Sequence, residues 1–206
     1  MMKISVSDAA KRFNREWIFH HFNYTFSQGV SYAITGPNGS GKSTLLQVIA
    51  GATVASNGKI VYQINDYLLP PDTAFRYISL AAPYLELIEE MTATEFLQFH
   101  SMFKPLQSSK RIQDLLITVG LREARDKQIR YFSSGMKQRL KLVQAIFSET
   151  PCVLLDEPCT NLDEQGVQLY QDLIREYCSG RLVIVSSNDE KEFSFCKERI
   201  NILDYK

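Results

Sequence analysis

The most constraining feature of the chain is a glycine-rich loop, Gly36-Pro37-Asn38-Gly39-Ser40-Gly41-Lys42-Ser43-Thr44, with the spacing G-x-x-x-x-G-K-[ST]. The stretches on either side of it have different hydrophobic periods. Residues 30–35 before it read as a strand. After it, Leu45, Leu46 and Ile49 share one helical face, and Gly51 is placed to end that helix. A chain that runs strand, glycine loop, helix is committed to layered α/β packing. The glycines let successive backbone N–H groups curl inward above the positive N-terminal end of the helix, which makes a cradle for phosphate oxygens. In such a loop Lys42 reaches the β- and γ-phosphates and the Ser43 hydroxyl ligates Mg²⁺. Residues 36–44 are therefore the candidate nucleotide-binding residues. The competing reading is a glycine-rich turn with an exposed lysine.

The rest of the chain is consistent with this frame. Ile4 and Val6 alternate with polar neighbours, as do Phe22, Tyr24 and Phe26, which predicts two early strands. Asn57-Gly58 reads as a hairpin turn leading into a strand over 59–64, and another strand is expected over 75–79. From about 83 to 131 the pattern is helical. Thr92-Ala93-Thr94-Glu95 is a capping-box sequence, and Ile112, Leu115, Leu116 and Val119 form a second stripe closed by Gly120. Strand and helix then alternate again: helix over 136–147, strand over 152–155, a helix opened by Asp163, strand over 182–185, helix over 189–195 and a last strand over 200–203. The pattern predicts an α/β fold with a mainly parallel core sheet, antiparallel strands near the N-terminus and an inserted helical subdomain. It also predicts one domain, 1–206, with core segments 1–82 and 136–206 and the helical part at about 83–135.

A second motif supplies carboxylates. Residues 152–155 are apolar and run into Asp156-Glu157-Pro158. In open parallel sheets ligands bind beyond the carboxyl ends of the strands. Asp156 therefore emerges where Mg²⁺ would sit, and Glu157 is the candidate catalytic group to polarise an attacking water. The competing reading is a solvated strand end.

Charge and hydropathy narrow the class. Lys+Arg and Asp+Glu number 23 each, so the formal net charge is zero; a general nucleic-acid binder carries a basic excess, and no nucleic acid is expected as partner. No apolar run approaches the roughly 18–20 residues of a membrane-spanning helix. Cys152, Cys159, Cys178 and Cys196 show neither CxxC nor metal-ligand spacing, which predicts reduced, mostly buried thiols.

With these motifs in order, the sequence resembles the ATP-binding cassette (ABC) ATPases, the nucleotide-binding subunits of ABC transporters. The resemblance spans nearly the whole chain. It rests on GPNGSGKST at 36–44, YFSSGMKQR at 131–139, LLDEP at 154–158 and TNLD at 160–163. The second of these separates the cassettes from other phosphate-loop families. The resemblance implies that Ser133, Ser134 and Gly135 form a signature facing the γ-phosphate of an ATP held by a second subunit. By itself, Ser133-Ser134-Gly135 is a helix-initiating turn. Asp163 matches the family's D-loop aspartate, a role compatible with capping a helix. Phe13 matches the aromatic that stacks on adenine; Trp17 competes for that place, and either ring could instead belong to the core.

The resemblance further implies ATP and Mg²⁺ as cofactors. It implies two partners, a second ATP-binding subunit, identical or not, and a transmembrane permease on a separate chain. Its location would be the cytoplasmic face of the membrane, with a docking groove near residues 83–95. Three positions depart from the family pattern. No glutamine follows the strand expected over 75–79, where the chain reads Ile78-Ser79-Leu80-Ala81-Ala82-Pro83. Asn188 stands where the family has a switch histidine; its amide can donate a hydrogen bond to phosphate but cannot carry a proton charge, and it can alternatively cap a helix. In the signature, Ser134 replaces a glycine and Met136 a glutamine. Two other readings remain: a hydrolysis-poor nucleotide-binding module, such as the degenerate half of a cassette pair, and a non-transport cassette protein of DNA repair or translation.

Overall fold

Alternation of strand and helix in the second half of the chain enforces parallel pairing, because each crossover helix returns the chain to the same end of the sheet. The computed structural model describes residues 1–107 and 109–206. In chain order its elements are β1 (Met2–Phe13), β2 (Glu16–Ser27), β3 (Ser31–Thr35), α1 (Lys42–Ile49), β4 (Asn57–Ile64), β5 (Tyr67–Leu69), β6 (Ile78–Ala81), α2 (Ala93–Ser101), α3 (Ile112–Thr118), α4 (Ser134–Ile146), β7 (Cys152–Asp156), α5 (Glu164–Tyr177), β8 (Leu182–Ser186), α6 (Glu190–Phe193) and β9 (Glu198–Asn201). One sheet is wholly parallel, in the order β6-β7-β8-β3-β9, and the other is antiparallel, in the order β2-β1-β4-β5.

The period-2 alternation of the parallel strands decides what each face buries. Val153 and Leu155 of β7, with Val183 and Val185 of β8, pack against α4, α5 and the helical insert. Their neighbours Cys152, Leu154, Leu182 and Ile184 point the other way, onto α1 and the antiparallel sheet. The central sheet is thus covered on both faces, as parallel sheets require. The insert docks through Phe96 and Leu97 of α2 and Leu115 and Leu116 of α3, all buried in the same cluster as α4. Thr92 opens α2 as a capping box: Glu95 N–H donates to Thr92 Oγ1 at 3.2 Å, and Thr92 N–H donates to Glu95 Oε2 at 2.8 Å.

Several boundaries differ from the sequence expectation. Asn57-Gly58 is the start of β4, not a hairpin turn. Gly58 (φ +77°) sits where β1 bulges, and a Cβ there would stand 2.2 Å from the Asp8 carbonyl oxygen. The glycine serves a close backbone approach rather than a reversal. The strand expected over 75–79 is β6 at Ile78–Ala81, because Pro71–Tyr77 form a 3-10 turn. The last strand ends at Asn201, whose side chain accepts from Leu203 N–H and turns the chain into a short 3-10 helix. The helix expected over 189–195 is confined to Glu190–Phe193. The continuous helical texture over 83–131 is two short α-helices joined by turns. All four cysteines are free, and Cys152, Cys159 and Cys178 are buried. Among the described residues no helix is long and apolar enough to cross a membrane.

Candidate functional site

The carboxyl ends of β3, β7 and β8, adjacent in the sheet, bring the phosphate loop, the acidic pair and Asn188 together. Gly41 (φ +97°) turns the loop into α1, and a Cβ there would meet Ile18 Cγ2 of β2 at 2.3 Å. Only glycine fits both the left-handed backbone and that contact. No side chain caps α1 and no acid occupies its first turn, so its N-terminal amides remain free for an anion. Lys42 is 4% exposed, and its ammonium donates to the carbonyl oxygens of Gly36 at 2.9 Å and Pro37 at 3.1 Å. The loop thus holds its own cation poised at the mouth of the cradle, which excludes the exposed-lysine reading.

Asp156 closes β7 at 1% exposure, so it is not a solvated strand end. Burial pushes its carboxyl pKa upward, while the nearby Ser186 and Ser43 hydroxyls and the charge of Lys42 act in the opposite direction. Its Oδ1 has no hydrogen-bond partner, nor does the buried Ser40 Oγ. A buried carboxylate oxygen left open near the Ser43 hydroxyl is the hard-oxygen donor set that Mg²⁺ takes when phosphates complete its shell. The residues therefore fit that ion. Glu157 follows in left-handed backbone (φ +42°), and its N–H donates to Ser186 O at 2.8 Å. A non-glycine residue held in this region is strained, and such strain concentrates at functional sites.

Asn188 is exposed, and its amide donates to Asn38 Oδ1 of the phosphate loop at 3.2 Å. The helix-capping role falls instead to Asp189, whose side chain accepts from Lys191 N–H at 3.0 Å. Tyr84 carries no sequence signal but lies at the same site. It is 43% exposed, yet desolvation and then the nearby Asp156 charge raise its pKa to about 12, with Gln47 of α1 acting in the opposite direction. The loop bearing it is anchored by Lys141 of α4, which donates to Ala82 O at 3.2 Å and Pro83 O at 2.8 Å. No periodicity or motif places Tyr84 there, because the contact depends on the turn after β6. Phe13 and Trp17 both lie at the turn end of the β1–β2 hairpin, about half exposed, which excludes the core-aromatic reading for each.

The remaining motif residues form a second cluster. Ser133 is the N-cap of α4, with Oγ accepting from Met136 N–H at 3.2 Å. Gly135 lies so near Asn161 that a Cβ would stand 3.0 Å from its carbonyl oxygen. Asp163 caps α5, accepting from Gly166 N–H at 2.8 Å, and faces the Arg139 guanidinium at 3.5 Å. These residues line a pocket of about 430 Å³. Among the described residues no hydrogen bond joins 133–135 to 36–44. One link between the clusters is Gln138 of α4, which donates to Pro158 O at 2.7 Å, just beyond Glu157.

A family model described as ABC transporter matches residues 19–160. The chain belongs to the ABC transporter family. Against the ABC transporter ATP-binding protein YybJ of Bacillus subtilis, itself uncharacterized, this cassette is 33% identical over 94% of its length and 89% of the relative. Against the daunorubicin/doxorubicin resistance ATP-binding protein DrrA of Streptomyces peucetius it is 28% identical over 98% of its length, but spans only 62% of that longer chain. A solved ATP-binding subunit of an ABC transporter superposes with a TM-score of 0.84 at 26% identity, covering 97% of this chain and 85% of that one. The ATP-binding cassette MJ0796, solved as a post-hydrolysis dimer bound to ADP and Pi, superposes with a TM-score of 0.80 at 22% identity over 97% of this chain and 94% of that one. The cassette is thus the ATP-binding subunit of an ATP-driven transporter.

Proposed function

We propose that two copies of this cassette, or one copy and a related subunit, close on two Mg-ATP and hydrolyse them at composite sites. One subunit supplies residues 36–44, Asp156 and Glu157, and the other supplies Ser133, Ser134 and Gly135. The observation that carries this reading is the division of the motif residues into two separate clusters, each with half the chemistry. In the first, Lys42 and the α1 amides hold the β- and γ-phosphates. Ser43 and Asp156 would hold Mg²⁺, which neutralises charge on the transferring phosphoryl group when bound. Glu157 orients the attacking water and takes up its proton. Asn188, withdrawn from Asn38, donates to a γ-phosphate oxygen. In the second cluster, Ser133, the Gly135 amide and the start of α4 point at a γ-phosphate brought by the partner. Asp163 sits beside them, at the junction with that partner. Phe13 stacks on adenine; Trp17, beside it on the hairpin, is the alternative. The chain is then one cassette domain, with core 1–82 and 136–206 and a helical part at about 83–135.

Two positions set the rate. Tyr84, beside Asp156 and tied through its loop to Lys141 of the signature helix, takes the place of the family glutamine. Asn188 takes that of the histidine. The drive passes to a transmembrane permease on another chain, on the cytoplasmic face of the membrane. That permease docks at the groove of about 550 Å³ lined by Pro83, Glu86, Glu89, Glu90, Lys137 and Lys141.

Glu157→Gln tests the reading. Steady-state ATP turnover is expected to fall by roughly 100-fold or more while ATP binding stays within about twofold. Turnover that survives the substitution removes Glu157 from the mechanism. Tight ATP binding by the unsubstituted chain, with no turnover at any protein concentration, replaces the enzyme with a nucleotide-sensing module.

A further inference from the structure

Glu192 is a buried carboxylate with no role in the site described above. It lies on α6, 4% exposed, and no lysine or arginine pairs with it among the described residues. A buried charge without a cation must be held by hydrogen bonds. Here the holding group comes from the loop after β7, while Glu192 itself follows the loop after β8. Glu192 Oε1 accepts the backbone N–H of Cys159 at 2.7 Å; Cys159 stands between the catalytic Glu157 and the interface Asp163. Burial raises the pKa of this carboxyl, and the nearby Ser187 hydroxyl, which accepts from Asp189 N–H at 2.9 Å, acts in the opposite direction, while Oε2 has no hydrogen-bond partner among the described residues. Ser187 in turn directly precedes Asn188, the residue that touches the phosphate loop.

The backbone of Glu192 extends the same connection. Its N–H donates to Asp189 O at 3.0 Å. Its carbonyl accepts the Tyr170 hydroxyl of α5 at 2.8 Å, and Asp163 caps that helix. The loops after β7 and β8 therefore do not flank the cleft independently. They line one cavity of about 630 Å³ with Glu157, Asp163 and Asn188 on its walls and Glu192 among its lining residues. Near the carboxylate the other charged groups are Asp189 and Glu157, both of its own sign. The bond to the Cys159 N–H is thus the side-chain tie between the two loops.

We propose that Glu192 is a positioning residue that makes the loops after β7 and β8 move as one piece, so that the position Asn188 takes on the γ-phosphate sets the position of Asp163 at the subunit junction. This rests on the two-subunit reading given above. The device needs an acceptor oxygen at this place and the glutamate side-chain length, but not the negative charge. Glutamine therefore replaces glutamate, and alanine does not.

The experiment compares Glu192→Ala, Glu192→Gln and Ser187→Ala in the full chain. ATP affinity is read with a fluorescent ATP analogue, turnover as kcat and KM, folding as Tm, and ATP-driven dimerisation by sedimentation in the Glu157→Gln background. Expected for Glu192→Ala are analogue affinity and KM within about twofold, kcat lowered roughly tenfold or more, and loss of the ATP-driven dimer. Glu192→Gln is expected to restore all of them. Ser187→Ala is expected to lower kcat a few fold at unchanged affinity, and it decides the matter if Glu192→Ala does not fold. The proposal is overturned if Glu192→Ala keeps wild-type kcat and dimerisation. It is equally overturned if Glu192→Gln, with a native Tm, is as impaired as alanine, or if Ser187→Ala has no effect when it is the deciding variant. A Glu157→Gln chain that stays monomeric with ATP overturns the two-subunit reading instead, and the Glu192 kcat arm then decides separately whether the loops are coupled.

Discussion

The phosphate-loop cluster and the signature cluster are both built at helix N-termini, yet they differ in how complete they are within one chain. Around the phosphate loop the fold closes on itself. Lys42 is buried against its own loop, Gly41 is pressed against Ile18, and Asp156 is sealed beneath Ser43 and Ser186. At the signature, Ser133 and Ser134 are exposed, and Ser133 is occupied only by the cap it makes for α4. A cradle with unused donors and an orphaned buried carboxylate oxygen is a binding site by itself. A helix cap facing outward becomes one only when a second molecule brings the ligand to it. The difference predicts that nucleotide affinity resides in the first cluster and turnover in the pair.

The sharpest way to break this division is Lys42→Ala. It removes a buried cation aimed at the phosphates, so ATP affinity of the isolated chain is expected to fall roughly 100-fold, read by calorimetry. A small change there would mean the cradle is not self-sufficient. Ser133→Ala probes the other side. Affinity should stay within about twofold, while kcat drops on the order of tenfold at concentrations where the wild type dimerises. Equal losses in both quantities would erase the distinction.

Asp163→Ala sharpens it, since this residue both caps α5 and pairs with Arg139. Stability should fall by about 1 kcal/mol in urea melts, with ATP affinity intact. His100 carries a smaller and more local effect at the seam between insert and core. Burial, and then Lys104, lower its pKa from the ordinary 6.5 to about 4, and Nε2 lies 2.9 Å from Ser148 Oγ at the end of the signature helix. The folded state therefore favours neutral imidazole. Its contribution is complete above pH 6.5 and is lost as the pH falls toward 4, a decline on the order of 2 kcal/mol. His100→Gln should flatten that part of the stability–pH curve. A curve of unchanged slope would take His100 out of the seam's acid response.

The legibility of the sequence followed the range of the interactions. The phosphate loop, the Thr92–Glu95 capping box and the Asp163 cap of α5 are set by neighbours within a few residues, so their patterns could be read directly. Asn57-Gly58 misled because turn chemistry and bulge chemistry ask for the same residue, and only Asp8, far away in the chain, tells them apart. The strand expected over 75–79 was displaced by three residues, because Pro71 starts a 3-10 turn that consumes Phe75 and Tyr77. Tyr84 and Glu192 gave no signal at all. A lone tyrosine after a strand and a glutamate in a charged run look like ordinary surface residues until the strand order sets them near Asp156 and Cys159.

What the sequence by itself determined is the chemistry. A glycine-rich turn ahead of a helix, a lysine, a hydroxyl and two acids after an apolar strand are local arrangements, and each was legible from its own neighbours as the chemistry expected of a phosphate site. The tertiary structure decided how those groups are shared out. The order β6-β7-β8-β3-β9 brings three strand ends to one cradle and leaves the start of α4 facing outward. It also sets Glu192 against the backbone of Cys159, 33 residues away along the chain. Hydrophobic burial on two faces of one sheet makes those choices, and no window of sequence contains both faces at once.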